Sequence, residues 1–121
     1  MFAAELDKPQ RLLKLRYADQ VNPEEMIRCV EHVTTLVAEI EPGFRVLTDL
    51  TNLGSMDAAC APHIAAMMDL LREHGVEVAI RIGPDPHKDI GLNILSFFHY
   101  GSKVRTETYE TLADAISSLA A

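Results

Sequence analysis

The chain has 121 residues, 48% of them hydrophobic, with 18 acidic against 11 basic side chains and a formal charge of −7. That length suits a single domain, residues 1–121, burying roughly two thirds of its unfolded surface. The excess of carboxylates argues against nonspecific binding to nucleic acid or anionic membrane, both of which reward Lys and Arg.

Cys29 and Cys60 have neither disulfide-framework nor zinc-type spacing. No stretch approaches ~18 uninterrupted apolar residues, and the first residues lack a basic segment followed by an apolar run. A cytoplasmic chain without stable membrane insertion is expected.

Residues 1–10 show no clear period, although Phe2 and Leu6 could extend a sheet. From Arg11 to Tyr17, Leu13, Leu15 and Tyr17 alternate with Lys14 and Arg16, the period of a half-buried strand. Asn22, Pro23 and Glu25 then supply an N-cap, a first-turn proline and an acidic third position, which start a helix. Its apolar stripe is Met26, Val30, Val33, Val37 and Ile40, with Cys29 on the border as a small buried residue.

Phe44 to Leu50 reads as a second strand and Thr51 to Asp57 as a polar turn. The next helix starts between Asp57 and Pro62, because proline is well tolerated only in a first turn. Ile64, Met67, Met68 and Leu71 form its core face, and Gly75 stops it. Val76 to Ile82 is an alternating strand. After Gly83-Pro84-Asp85-Pro86 a helix runs to about Tyr100, Lys103 to Glu107 reads as a short strand, and Thr108 caps a last helix with Tyr109, Leu112, Ile116 and Leu119 inward.

Helical crossovers between consecutive strands imply a largely parallel sheet. The fold class expected is α/β: one domain of βαβαβαβα order, with a predominantly parallel sheet of four or five strands and helices mainly on one face. Because the strands alternate, the second face is expected to be charge-mixed, carrying Lys14, Arg16, Arg45, Arg81 and Arg105 with Asp49, Glu77 and Glu107.

The run from Leu47 to Cys60, followed by a helix, Gly75 and an alternating strand, resembles the centre of the anti-sigma factor antagonist domains called STAS. It is most similar to their divergent bacterial branch, which is also compared with the lipid-binding Sec14 type. In that family an aspartate-containing loop leads to a methionine or phenylalanine, an aspartate, two serines and a glycine at the start of the second helix. Met56 and Asp57 match, whereas Ala58 and Ala59 replace the serines and Cys60 replaces the glycine.

The phosphorylatable hydroxyl of the family is therefore missing. A serine at a helix start receives phosphate well because free amides and the helix dipole face it; alanine cannot. The resemblance implies a noncatalytic regulatory module with a protein partner of the anti-sigma or kinase-like kind and no cofactor or metal. Its partner-binding loop comprises Asn52, Ser55, Met56, Asp57, Ala58 and Ala59, with Asp85 and His87.

Two alternatives accompany it. One is a Sec14-like domain for a small apolar ligand or lipid. The other is a thiol enzyme, because Cys60 and His63 stand three residues apart near a helix start, where a thiolate is stabilised. Asp85, His87, Lys88 and Asp89, with Asp49 and Asp57, have no diagnostic metal-ligand spacing. In the helix before Tyr100, Ile90, Ile94, Phe97 and Phe98 form one arc expected inward. Leu92 and Tyr100 fall off it and are expected at an interface, with self-association of the chain.

Overall fold

The computed structural model describes residues 1–83, 92, 94–96 and 98–120. Its main sheet has five strands: β1 (Phe2–Asp7), β2 (Leu12–Tyr17), β4 (Arg45–Asp49), β6 (Val78–Ile82) and β7 (Arg105–Tyr109). They lie in that spatial order. Adjacent strands from β2 to β7 pair in parallel, and β1 pairs antiparallel with β2. The predominantly parallel sheet is as expected. Its antiparallel edge comes from residues with no legible period, and Phe2, Ala4 and Leu6 pack against the core.

A second, two-stranded sheet pairs β3 (Asp19–Val21) with β5 (Leu53–Met56) in parallel. By its residues, Leu53–Met56 belongs to the polar turn expected over Thr51 to Asp57. The backbone is instead paired with a distant strand, which local turn chemistry does not reveal.

Helix α1 (Pro23–Val37) begins where its signals place it, with Asn22 Oδ1 accepting from the Glu25 amide at 2.9 Å. Met26, Cys29, Val33 and Val37 are its buried residues. Helix α2 (Ala61–Glu73) carries Pro62 in its first turn and buries Met67, Met68 and Leu71. It ends before Gly75, whose φ of +89° admits glycine readily; a Cβ there would also lie 2.6 Å from Pro42 Cβ.

Pair register decides which side each strand residue serves. Leu13, Val46 and Ala79 share a row facing α1 and α2, whereas Lys14, Leu47, Ile80 and Glu107 share one facing the other way. The apolar alternation of β6 is thus out of phase with that of β2. Arg81 consequently lies with Leu15 and Thr48 on the α1/α2 side, only 6% exposed, and not on the charge-mixed face with Lys14, Arg16, Arg45 and Arg105. Strand β6 is buried throughout because both of its faces are covered.

The opposite face is covered over β6 and β7 by helix α3 (Leu112–Ala120). Thr111, not Thr108, caps it by accepting from the Asp114 amide at 3.2 Å. Thr108 and Tyr109 belong to β7. Ala115 is fully buried and Leu119 packs against the core, while Leu112 and Ile116 are 45% and 52% exposed, so the expected inward set rotates about the helix.

The segment before Tyr100 also turns its other side inward. Leu92 and Leu95 pack against the core and Tyr100 is 5% exposed, while Ile94 and Phe98 are 54% and 71% exposed. The arc containing Ile94 and Phe98 was expected inward and the positions of Leu92 and Tyr100 outward; the assignment is reversed. Ile90 and Phe97 lie outside the residues whose side chains are described. His99 Nδ1, 2.8 Å from Asp69 Oδ1, ties this segment to α2.

Candidate functional site

Strand β3 positions the junction between β5 and α2. The Asp19 amide donates to the Asn52 carbonyl at 3.0 Å, and the Asp57 amide donates to the Val21 carbonyl at 3.1 Å. Asp19 itself has a φ of +58°, a left-handed conformation that aspartate adopts more readily than most residues. A Cβ on Gly54 would sit 3.0 Å from the Asp19 carbonyl oxygen, so glycine lets β5 approach this closely.

From this clamp the chain enters a short 3-10 turn, Ala58–Cys60, that leads into α2. Asp57 caps it: Oδ1 accepts from the Ala59 amide at 2.8 Å. Upstream, Asp49 Oδ1 accepts from the Thr51 amide at 3.0 Å and from Thr51 Oγ1 at 2.6 Å, closing the end of β4. Asn52, Ser55, Asp57, Ala58 and Ala59 are exposed and Met56 is half-buried. They lie on one stretch of chain, residues 52–59, that forms an at least partly accessible strip. Asp85 and His87 lie outside the described residues.

Ser55 lies within a strand, away from the amides that open the helix. Ala58 and Ala59 occupy the 3-10 turn at the helix entrance, where no side-chain hydroxyl is available.

Cys60 is fully buried and its Sγ lies 3.7 Å from the Val21 carbonyl. Burial, reinforced by the Asp57 carboxylate, pushes its thiol pKa up. The helix-start position that favours a thiolate is thus outweighed by desolvation. Cys29 is also fully buried, 3.6 Å from the Tyr17 hydroxyl, and burial raises both groups. Among the described residues no cluster of His, Cys, Asp or Glu has the arrangement of a metal site, and no helix is long and apolar enough to cross a membrane.

Beneath the exposed strip is a cavity of about 660 Å³. Met56, Asp57 and Ala58 of the strip line it, together with Met67 and Met68 of α2 and with Leu92, Leu95 and Tyr100. Arg81 reaches it from the sheet and donates through an Nη to Ser96 Oγ at 3.0 Å, with both side chains buried. Burial moves the Tyr100 hydroxyl pKa up, and the nearby Arg81 charge partly counters that shift. Leu92 and Tyr100, expected at an outer interface, are walls of this cavity.

The cavity and the contact between Arg81 and Ser96 have no local sequence signature, because segments distant in the chain create them together. The one local signal was Arg81 itself, a charge in a strand that is otherwise apolar from Val78 to Ile82.

The structure is similar to that of the anti-sigma factor antagonist SpoIIAA in its unphosphorylated form, with a TM-score of 0.71 and 13% identity over 99% of this chain and 98% of that chain. It is also similar to an uncharacterised Shewanella loihica protein with a SpoIIAA-like fold, with a TM-score of 0.72 and 16% identity over 98% and 93% of the two chains. An anti-sigma factor antagonist from Mycobacterium paratuberculosis gives a TM-score of 0.62 and 14% identity over 100% of this chain and 96% of that one. These likenesses show a SpoIIAA-like fold. No protein-family model and no curated protein matches the sequence.

Proposed function

We propose that this SpoIIAA-like domain is a noncatalytic, cytoplasmic regulatory module that binds a protein partner through Asn52, Ser55, Met56, Asp57, Ala58 and Ala59, without phosphorylation at the start of α2. The carrying observation is this strip: it is accessible, held by β3, and offers alanine methyl groups where the STAS resemblance places phosphorylatable serines. An anti-sigma or kinase-like protein is the partner class that the resemblance suggests. Self-association belongs to the same reading and would use two exposed apolar residues, Phe98 and the cavity-lining Ile94.

A thiol enzyme using Cys60 and His63 has less support, because the thiol is buried and its pKa raised. The Sec14-like reading gains support from the apolar cavity beside Leu92. Photocrosslinking groups introduced at Ser55 and Ala59, with Lys103 as an exposed control, test the partner surface in cells. An anti-sigma or kinase-like protein captured from the first two positions and not from the third supports the assignment. Capture at Lys103 alone would relocate the surface and overturn it.

A further inference from the structure

We infer that the groove over β2 and β4, on the sheet face that α3 partly covers, is a second docking surface, and that it takes an acidic segment of a protein partner carrying carboxylates among apolar side chains. Helix α3 packs on β6 and β7. Beside it the groove, about 1040 Å³, is lined by residues of β1, β2 and β4 and by Leu112, Ile116 and Leu119 of the helix. That volume stands at the top of the roughly 300–1,000 Å³ span of small-molecule sites and suits a stretch of chain.

Parallel register makes the floor a checkerboard. Leu12 lies opposite Arg45, Lys14 opposite Leu47, and Arg16 opposite Asp49, so two leucines and three cations interleave on one face. Leu112 and Ile116, both exposed, extend the apolar part from α3.

The cations are not balanced within the groove. Glu5 Oε1 lies 3.9 Å from Lys14 Nζ, and Asp49 turns Oδ1 to Thr51. Arg45 donates to a neutral group, the Gln10 carbonyl, at 3.2 Å. Arg16 is exposed, and among the described residues its guanidinium has no hydrogen bond or ion pair. Two guanidiniums are therefore in excess here, on a chain whose formal charge is −7, and their planar forks suit carboxylates. Nucleic acid fits less well, because Glu5 and Asp49 share the groove and its floor is aliphatic, whereas single strands stack on aromatic rings. A second copy docking through the same face would set these cations against their own counterparts. The groove is separate from the strip of the proposed function and stands without it.

The blocked peptide Glu-Leu-Leu-Glu-Glu-Leu-Leu-Glu, its counterpart with glutamine for glutamate, and a thymidine oligonucleotide test the inference on the isolated protein by amide NMR titration. The acidic peptide is expected to bind saturably at low salt, about fivefold or more tightly than the glutamine peptide, and to shift the amides of Leu12, Lys14, Leu47 and Ile116. Arg16→Glu, at an exposed position, should weaken the acidic peptide about tenfold, and Ile116→Ser should weaken both peptides. Equal affinity for the two peptides, no saturable binding of the acidic one, tighter binding of the oligonucleotide, or shifts confined to residues outside the groove would overturn the assignment, as would unchanged binding by Arg16→Glu. If that variant does not fold, the comparison of peptides on the unsubstituted protein still decides it.

Discussion

The backbone amide of Asp57 donates to the carbonyl of Val21 at 3.1 Å while its side chain caps the turn that opens α2. One residue thereby joins the small β3/β5 sheet to the helix beneath the accessible strip. Asp57→Ala is expected to lower stability by about 1 kcal/mol through loss of the cap, while Asp57→Asn should recover most of it. Urea denaturation of the three proteins measures the difference; equal midpoints would remove Asp57 from its capping role.

The two thiols should be inert in the folded chain, because Cys29 and Cys60 are fully buried and desolvation raises both pKa values. Alkylation near neutral pH should be slow until denaturant is added, after which both should react. Fast native labelling of Cys60 at mildly acid pH, abolished by His63→Ala, would instead favour the thiol enzyme.

Leu92 and Phe98 should respond oppositely to a new charge. Leu92 packs against the core and lines the cavity, so Leu92→Glu should cost about 2 kcal/mol or more from lost burial and a poorly solvated carboxylate. Phe98 is 71% exposed, so Phe98→Glu should cost clearly less than Leu92→Glu. Thermal melts provide this comparison. In sedimentation, Phe98→Glu should shift any self-associated species towards the monomer; an unchanged molar mass for an associated parent would remove Phe98 from that contact.

These contrasts mark where local pattern was enough. Asn22, Pro23 and Glu25 specify the start of α1 because a cap is built from adjacent residues, and Gly75 marks the end of α2 for a similar reason. Leu53–Met56 gave no such signal: its polar residues suit a turn, and only the distant pairing with Asp19–Val21 makes it a strand. Around Leu92 the apolar residues populate more than one side of a helix, so periodicity alone could not select the buried side. Arg81 followed the alternation correctly, but register with β4 was needed to say which sheet face that alternation meant.

Glu107 should contribute to the acid dependence of stability. Hydrogen bonding from the Tyr109 hydroxyl, followed by the Arg105 charge and further bonds from Arg105 and Ser118, holds its carboxyl pKa below the ordinary value despite opposing desolvation. The unfolded group takes up a proton first as pH falls, so this contribution is fully present above the unfolded carboxylate pKa and is lost as pH falls through the lowered folded value. Glu107→Gln should flatten that part of the stability profile. Parallel acid profiles for the two proteins would show that these contacts do not provide the linkage.

Incubating the chain with ATP and the partner captured from Ser55 or Ala59, then measuring intact mass and residue-resolved modification, tests most directly whether regulation occurs by binding without phosphate transfer. The expected result is a stable complex with no phosphate added to residues 55–60; stoichiometric phosphoserine at Ser55 would contradict it.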